Sequence, residues 1–232
     1  VYLSGTKDIN IQTTMSQQRD RGRDVYAPAI SLDACRALDV LIAMGVLIFM
    51  APLMIAIAVA IKVQDGGPVL FGHGRLGRGG RTFRCWKFRS MEIDAEARLA
   101  ALLARDPVAR REWEADHKLR RDPRVTPLGA FLRVTSLDEF PQLFNVLAGE
   151  MSLVGPRPIV TAEVGRYGRW FSRYCEVRPG ITGLWQVSGR NDVDYRRRVA
   201  MDVLYTKTRS PHLYLKVLLA TVPAVVSRNG SY

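Results

Sequence analysis

Apolar and polar positions are distributed unevenly along this chain. Residues 1–35 are polar, with the run SQQRDRGRD in their second half, and read as a weakly ordered tail. VLIAMGVLIFMAPLMIAIAVAI, Val40–Ile61, follows: 22 residues without a charge. That length suffices for a membrane helix, and so long a run seldom stays inside a soluble domain of this size. Pro52 lies at its centre and removes one helical hydrogen bond. Arg36 precedes the run and Lys62 follows it. A span usually concentrates basic residues on its cytoplasmic side. A segment that bends at Pro52 and returns would put both cations on one face. The reading is therefore a re-entrant membrane anchor over residues 36–63, broken at Pro52, in preference to a full span.

Beyond Gly66-Gly67-Pro68 the periodicity shortens. Val69–Phe71 and Thr82–Phe88 alternate on either side of a Gly/Arg-rich turn, the pattern of a β-hairpin. GHGRLG, Gly72–Gly77, fits a dinucleotide fingerprint, but a second strand follows it instead of a helix, so it carries little weight. Ile93–Lys118 has the spacing of a helical pair interrupted near Asp106-Pro107. Further helices are expected over Gly129–Val134, in the run after Ser136, and over Ile159–Tyr174. Val177–Asp192 reads as loop with a short strand. HLYLKVLLATVPAVV, His212–Val226, reads either as a core helix or as one lying in a membrane interface. No internal repeat occurs. The fold class is α+β and predominantly helical: a re-entrant helix hairpin over residues 36–63, then a cytosolic catalytic domain over 64–232 with a short β-hairpin and membrane-interface helices.

Charge narrows the partners. Thirty-four Lys and Arg against 22 Asp and Glu give a net +12, which favours anionic ligands: nucleic acid, anionic lipid or a phosphorylated substrate. The three cysteines, Cys35, Cys85 and Cys175, are scattered and odd in number, which suits a reduced, cytosol-facing protein. His73, His117 and His212 form no zinc spacing with them.

Within this basic chain, TSLDEFPQLFNVLAGEMSLVGPRP sets Asp138 and Glu139 side by side in an otherwise apolar and neutral stretch. Locally, SLDE fits a capping box, with Ser136 as cap and Glu139 reaching back. Three loops add cations among Gly, Pro and aromatic residues: CWKFRSM with Lys87 and Arg89, GPRP with Arg157, and SGRN with Arg190. Rigidly held Arg and Lys suit phosphate oxygens. Adjacent carboxylates suit Mg2+ bridged to phosphates, and one carboxylate could itself attack phosphorus.

KFRSM, SLDEFPQLFNVLAGEMSLVGPRP and RPGITGLWQVSGRN, in this order, resemble the signature blocks of the bacterial sugar transferases, the monotopic polyprenyl-phosphate phosphoglycosyl transferases. The resemblance covers about Arg36 to Tyr232 and is narrowest to the exopolysaccharide-initiating galactosyl-1-phosphate transferases, a likeness to which the terminal SRNGSY adds. It implies transfer of a hexose-1-phosphate from a UDP-sugar, galactose first and glucose second, to undecaprenyl phosphate at the cytoplasmic face of the bacterial inner membrane. It implies Asp138 as nucleophile, Glu139 as metal-side partner of Mg2+, and Lys87, Arg157 and Arg190 in substrate handling. Membrane lipids are then partners and nucleic acid is not, and the oligomeric state is open, a homodimer included. Two positions depart from the family. Ala51 stands where Ser commonly precedes the anchor proline, and Tyr214 stands where many members carry an acid. The competing class is a basic membrane-tethered protein that binds anionic lipid or nucleic acid without chemistry. The acidic pair does not serve that class.

Overall fold

The computed structural model describes residues 30–116, 119, 122–189 and 193–226. The polar tail up to residue 29 lies outside the described residues. Helix α1, Ile30–Asp65, carries the charge-free run and contains Pro52 within it. Among the described residues it is the one helix long and apolar enough to cross a membrane by length and composition. The break expected at Pro52 is not shown: the helix is assigned continuously through it. A proline removes one backbone bond, and the turns on either side keep theirs. Leu41, Ile48, Phe49, Ile55 and Val63 remain exposed along it.

The hairpin expected next is present. Strands β1, Leu70–Leu76, and β2, Thr82–Phe88, pair antiparallel, with Leu70 opposite Phe88 and Leu76 opposite Thr82. The GHGRLG motif therefore lies largely along a strand and makes no phosphate loop. The helical pair also forms, as α2, Ala95–Arg105, and α3, Pro107–Asp116. Asp106 separates them and accepts from the backbone N–H of Val108 and Ala109.

Helix α4, Pro127–Val134, starts at Thr126, whose hydroxyl accepts from Gly129 N–H at 2.9 Å. A 3-10 turn, Leu137–Glu139, and helix α5, Gln142–Ala148, follow. Strands β3, Ser152–Val154, and β4, Gly180–Thr182, make a parallel pair. Residues 159–174, expected as one helix, are instead a chain of short turns. Helices α6, Val164–Tyr167, and α7, Phe171–Tyr174, are separated at Gly168, whose φ of 50° leaves the helical region. Helix α8, Leu184–Ser188, is brief. Helices α9, Tyr195–Thr208, and α10, Pro211–Val226, close the fold.

Three apolar clusters hold these elements. The largest joins Ala43 of α1, Phe83 and Cys85 of β2, Val146 of α5, Leu153 of β3 and Val217 of α10. A second packs Leu76 and Ile159 on Tyr167, Tyr174 and Val203. The third sets Ile57 and Ile61, at the other end of α1, against Phe88 and Leu132. Both ends of α1 thus pack on the same globular body. Helix α10 packs as the core reading of its sequence expects, with Tyr214 and Val217 buried, and Leu215, Leu219 and Val222 form an exposed apolar row.

Candidate active site

Strand alternation sets Lys87 on the same face of β2 as the buried Phe83 and Cys85. Its ammonium therefore ends at the inner edge of the hairpin, where it meets the 3-10 turn. Lys87 Nζ lies 2.6 Å from Glu139 Oε1 and 3.6 Å from Asp138 Oδ2. The two neighbouring carboxylates differ in setting: the Asp138 side chain is 9% exposed and that of Glu139 is 39%.

The capping box read from SLDE does not form. Ser136 makes no side-chain cap and sits at φ 57°, the one non-glycine residue with positive φ among the described residues. Glu139 turns to Lys87 instead of back to Ser136, because a fixed cation outcompetes a backbone N–H. A left-handed serine directly before the acidic pair is local strain held by the packing around it.

Asn145 supplies much of that packing. It is 1% exposed, and its amide acts as a peptide unit added to the free edge of β2. Its Oδ1 accepts from Trp86 N–H at 3.0 Å and its Nδ2 donates to Arg84 C=O at 2.7 Å. Nδ2 also donates to Glu150 Oε2 at 2.6 Å. This ties α5, and the acidic turn before it, to the strand that carries Lys87.

Burial pushes the Asp138 carboxyl above its ordinary value, and Glu139 adds to this; Lys87 and Arg133 oppose it without reversing it. Burial also acts to raise Glu139, but Lys87, with Arg157 and Arg75 farther off, outweighs it and holds that carboxyl low. Desolvation acts to lower Lys87, and the two carboxylates overcome it, so the ammonium stays charged. The site thus holds one firmly ionised carboxylate and one desolvated, more basic one around a single cation.

Arg157, on the loop after β3, is exposed, with its Cζ 5.9 Å from the Trp185 ring. The loop is fixed from behind. Asp202 accepts a 2.6 Å hydrogen bond from Tyr167 OH and another from the backbone N–H of Arg157. Burial pushes the Asp202 carboxyl up to about 7 against both donors. Close backbone contact holds the loop from the side: a Cβ on Gly155 would lie 2.6 Å from Arg178 O, and one on Gly180 2.1 Å from Gly155 N. Arg75 Nη1 donates to Pro158 C=O at 3.2 Å and lies 3.8 Å from Glu163.

Of the residues singled out in the sequence, Lys87, Asp138 and Glu139 come together, with Arg157 in the surrounding field. Arg89 does not join them. It is buried and pairs with Asp65, clamping the end of α1 to the hairpin. Arg190 lies outside the described residues. Asn145, Arg75 and the Tyr167–Asp202 pair escaped the sequence reading. Asp202 left a signal, since it is the lone acid on the buried i, i+3, i+4 row of Val199, Asp202 and Val203.

No group of three or more His, Cys, Asp or Glu suited to a metal occurs among the described residues. Mg2+ does not need one, because it is commonly bound by one or two carboxylates with substrate phosphates and water. Glu139 fits that role: it is ionised and partly exposed, and Lys87 engages only its Oε1.

Comparison with known proteins places this geometry in context. The family model "Bacterial sugar transferase" matches residues 31–228. The chain is 51% identical over 197 residues to an undecaprenyl-phosphate galactose phosphotransferase of Salmonella typhimurium, covering 85% of this chain and 41% of that one. It is 47% identical over 199 residues to the exopolysaccharide production protein ExoY of Rhizobium meliloti, covering 86% and 88%. It is 38% identical over 214 residues to a UDP-glucose:undecaprenyl-phosphate glucose-1-phosphate transferase of Caulobacter vibrioides, covering 88% and 74%. The chain spans about two fifths of the length of several curated relatives it matches.

Proposed function

The chain belongs to the bacterial sugar transferase family, and from that premise we propose that it transfers a hexose-1-phosphate from a UDP-sugar to undecaprenyl phosphate. The observation that carries this reading is the desolvated Asp138 carboxylate 3.6 Å from Lys87, beside an ionised Glu139. A docking protein has no use for a raised carboxylate among fixed cations. A phosphoryl-transfer enzyme uses it as a nucleophile.

In the first step an Asp138 oxygen attacks the β-phosphorus of the UDP-sugar. The bond from that phosphorus to the oxygen bridging to the α-phosphate breaks, and its electron pair leaves with UMP. The sugar phosphate remains on Asp138 as an acyl phosphate. In the second step a phosphate oxygen of undecaprenyl phosphate attacks the same phosphorus and the carboxylate leaves, restored. Two displacements let a soluble donor and a lipid acceptor use one site in turn. Lys87 holds the carboxylates in place and offsets charge on the transferring group, and Arg157 and Arg190 serve the diphosphate. Glu139 would hold Mg2+ against the phosphates, with Asp138 beside it. When bound, that ion supplies further neutralisation of phosphate charge.

The lipid acceptor implies a membrane surface, and the inner membrane's cytoplasmic face is the proposed location. Helix α1 and the exposed row of α10 are the proposed contacts. At 1.5 Å per residue a straight α1 would be about 54 Å long, yet both of its ends pack on one globular body. This supports entry and exit on one side; a bend at Pro52, where the helix is continuous, and the division into an anchor over 36–63 and a catalytic domain over 64–232 are part of the proposal. Galactose is the proposed sugar, following the name of the Salmonella relative, with glucose the alternative from the Caulobacter one. The test is UMP release from UDP-galactose and from UDP-glucose with undecaprenyl phosphate and Mg2+. Release dependent on the lipid, faster with UDP-galactose, supports the reading. No release with either sugar contradicts the reaction, and faster release with UDP-glucose contradicts the sugar.

A further inference from the structure

A second cationic feature lies away from Lys87. A half-open cavity with an interior of about 100 Å3 lies where α1, α9, α10 and the loop before β4 meet, and four guanidinium groups line it: Arg36, Arg78, Arg178 and Arg209. It is distinct from the Asp138 centre. Ser152 and Val154 of β3 and Glu176–Arg178, just before β4, border the cavity, and none of Lys87, Asp138, Glu139, Arg157 or Trp185 lines it.

The two acids in the lining offset only part of this charge. Asp39 spends Oδ1 on Ser152 Oγ at 3.0 Å, Leu153 N–H at 2.8 Å and Tyr214 OH at 2.8 Å. Only a 3.9 Å contact joins its other oxygen to Arg36 Nη1. That Nη1 is buried and has no hydrogen-bond acceptor among the described residues. Glu176 accepts from Arg173 at 3.0 Å. Arg178 gives its Nε to Gly149 C=O at 2.8 Å, and burial together with the charges of Arg36 and Arg78 pushes its pKa down. The side chains of Arg78 and Arg209 make no hydrogen bond or ion pair with any described residue. Like charges gathered around one half-open cavity repel each other, and an anion seated among them would relieve that repulsion.

Size and position narrow the anion. At roughly 10–15 Å3 per water, the interior of the cavity takes several waters or one tetrahedral oxyanion. Arg36 and Asp39 immediately precede the charge-free run that begins at Val40, and the exposed apolar row of α10 starts just past Tyr214 in the same wall. Cations at the edge of an apolar segment lie at the level of lipid headgroups.

We propose that this cavity is a binding site for a phosphate oxyanion, supplied by an anionic lipid headgroup or by soluble phosphate, separate from the Asp138 centre. The site does not depend on the transfer reaction, because its ligand meets none of the residues that carry it. The test is thermal unfolding of the full chain in a neutral detergent. The additions are dihexanoyl phosphatidylglycerol, inorganic phosphate, or dihexanoylglycerol, which has the acyl chains without the phosphate.

At a hundredfold excess over Kd the first is expected to raise the midpoint by about 5–10 °C. The variant Arg78→Gln/Arg209→Gln breaks no side-chain hydrogen bond or ion pair with a described residue and should bind at least about tenfold more weakly. Asp138→Asn should keep the full shift, which separates this site from the proposed active site. A shift from phosphatidylglycerol alone identifies a headgroup, and an equal shift from inorganic phosphate identifies a soluble ligand. No shift from either phosphate compound overturns the proposal. So does an equal shift from dihexanoylglycerol, or a shift that the Arg78→Gln/Arg209→Gln variant retains.

Discussion

Replacing Asn145 by Leu keeps the branching and heavy-atom count of the side chain but removes its amide from the free edge of β2. Three hydrogen bonds are lost, to Trp86 N–H, Arg84 C=O and Glu150 Oε2. Glu150 is exposed and recovers its hydration, so it adds little. The two backbone groups lose their partners beneath α5. A buried group left unpaired costs about 1–3 kcal/mol, so the pair should cost about 2–5 kcal/mol, a large part of a typical domain's stability. The expected fall in the thermal midpoint is about 5–15 °C. Asn145→Asp should do no better: it cannot donate to Arg84 and it brings a second carboxylate to Glu150. The positioning role has a separate readout. With α5 loosened from β2, the 3.6 Å spacing between Lys87 and Asp138 is no longer held, so kcat should fall well below the unfolding midpoint while KM for the donor changes less. Circular dichroism melts and UMP-release kinetics at 20 °C measure both. A midpoint within about 1 °C of the wild type, or unchanged kcat in the folded variant, would refute the reasoning.

Lys87→Met removes the one cation within 4 Å of both carboxylates among the described residues and should cost about 10²–10³-fold in kcat; initial-rate assays check it, and near-normal turnover would show that Lys87 serves only the fold. Asp202, with its carboxyl pushed up to about 7, binds its proton more tightly folded than unfolded. Stability should therefore be greatest below the unfolded carboxylate range and fall as pH rises toward 7, by about 2 kcal/mol between pH 5.5 and 7. Denaturant titrations across that range should lose this slope in Asp202→Asn, and a slope that persists would assign it elsewhere. For the anchor, reporters fused near residue 20 and after Tyr232 should both report cytoplasm; opposite sides would mean that α1 spans.

How much was legible in the sequence depended on whether a residue's partners lay nearby in the chain. The hairpin followed from alternation around a Gly/Arg turn, and the α2–α3 pair from helical spacing broken at Asp106-Pro107. The acidic pair stood out because two charges interrupt an apolar run. What was lost depended on contacts far along the chain. Glu139 abandons its expected cap because Lys87, 52 positions away, reaches it first. Arg89 resembled Lys87 in its local setting, but the end of α1 brings Asp65 to it. The helix expected over Ile159–Tyr174 is broken at Gly168, whose positive φ no periodicity reveals. Tyr214 donates to Asp39 Oδ1 at 2.8 Å. The tyrosine thus shares that pocket with an acid supplied by α1, a pairing visible only once the two ends of the chain are brought together.

The central claim is that the Asp138 carboxylate carries the sugar phosphate between donor and acceptor. It is tested most directly by incubating the protein with UDP-galactose and Mg2+ in the absence of undecaprenyl phosphate, then mapping peptide masses after acid quenching. The account predicts a hexose-phosphate adduct on the peptide containing Asp138, discharged on addition of undecaprenyl phosphate and absent from Asp138→Asn. Lipid-dependent turnover with no adduct at any time, or an adduct that forms equally on Asp138→Asn, would contradict it.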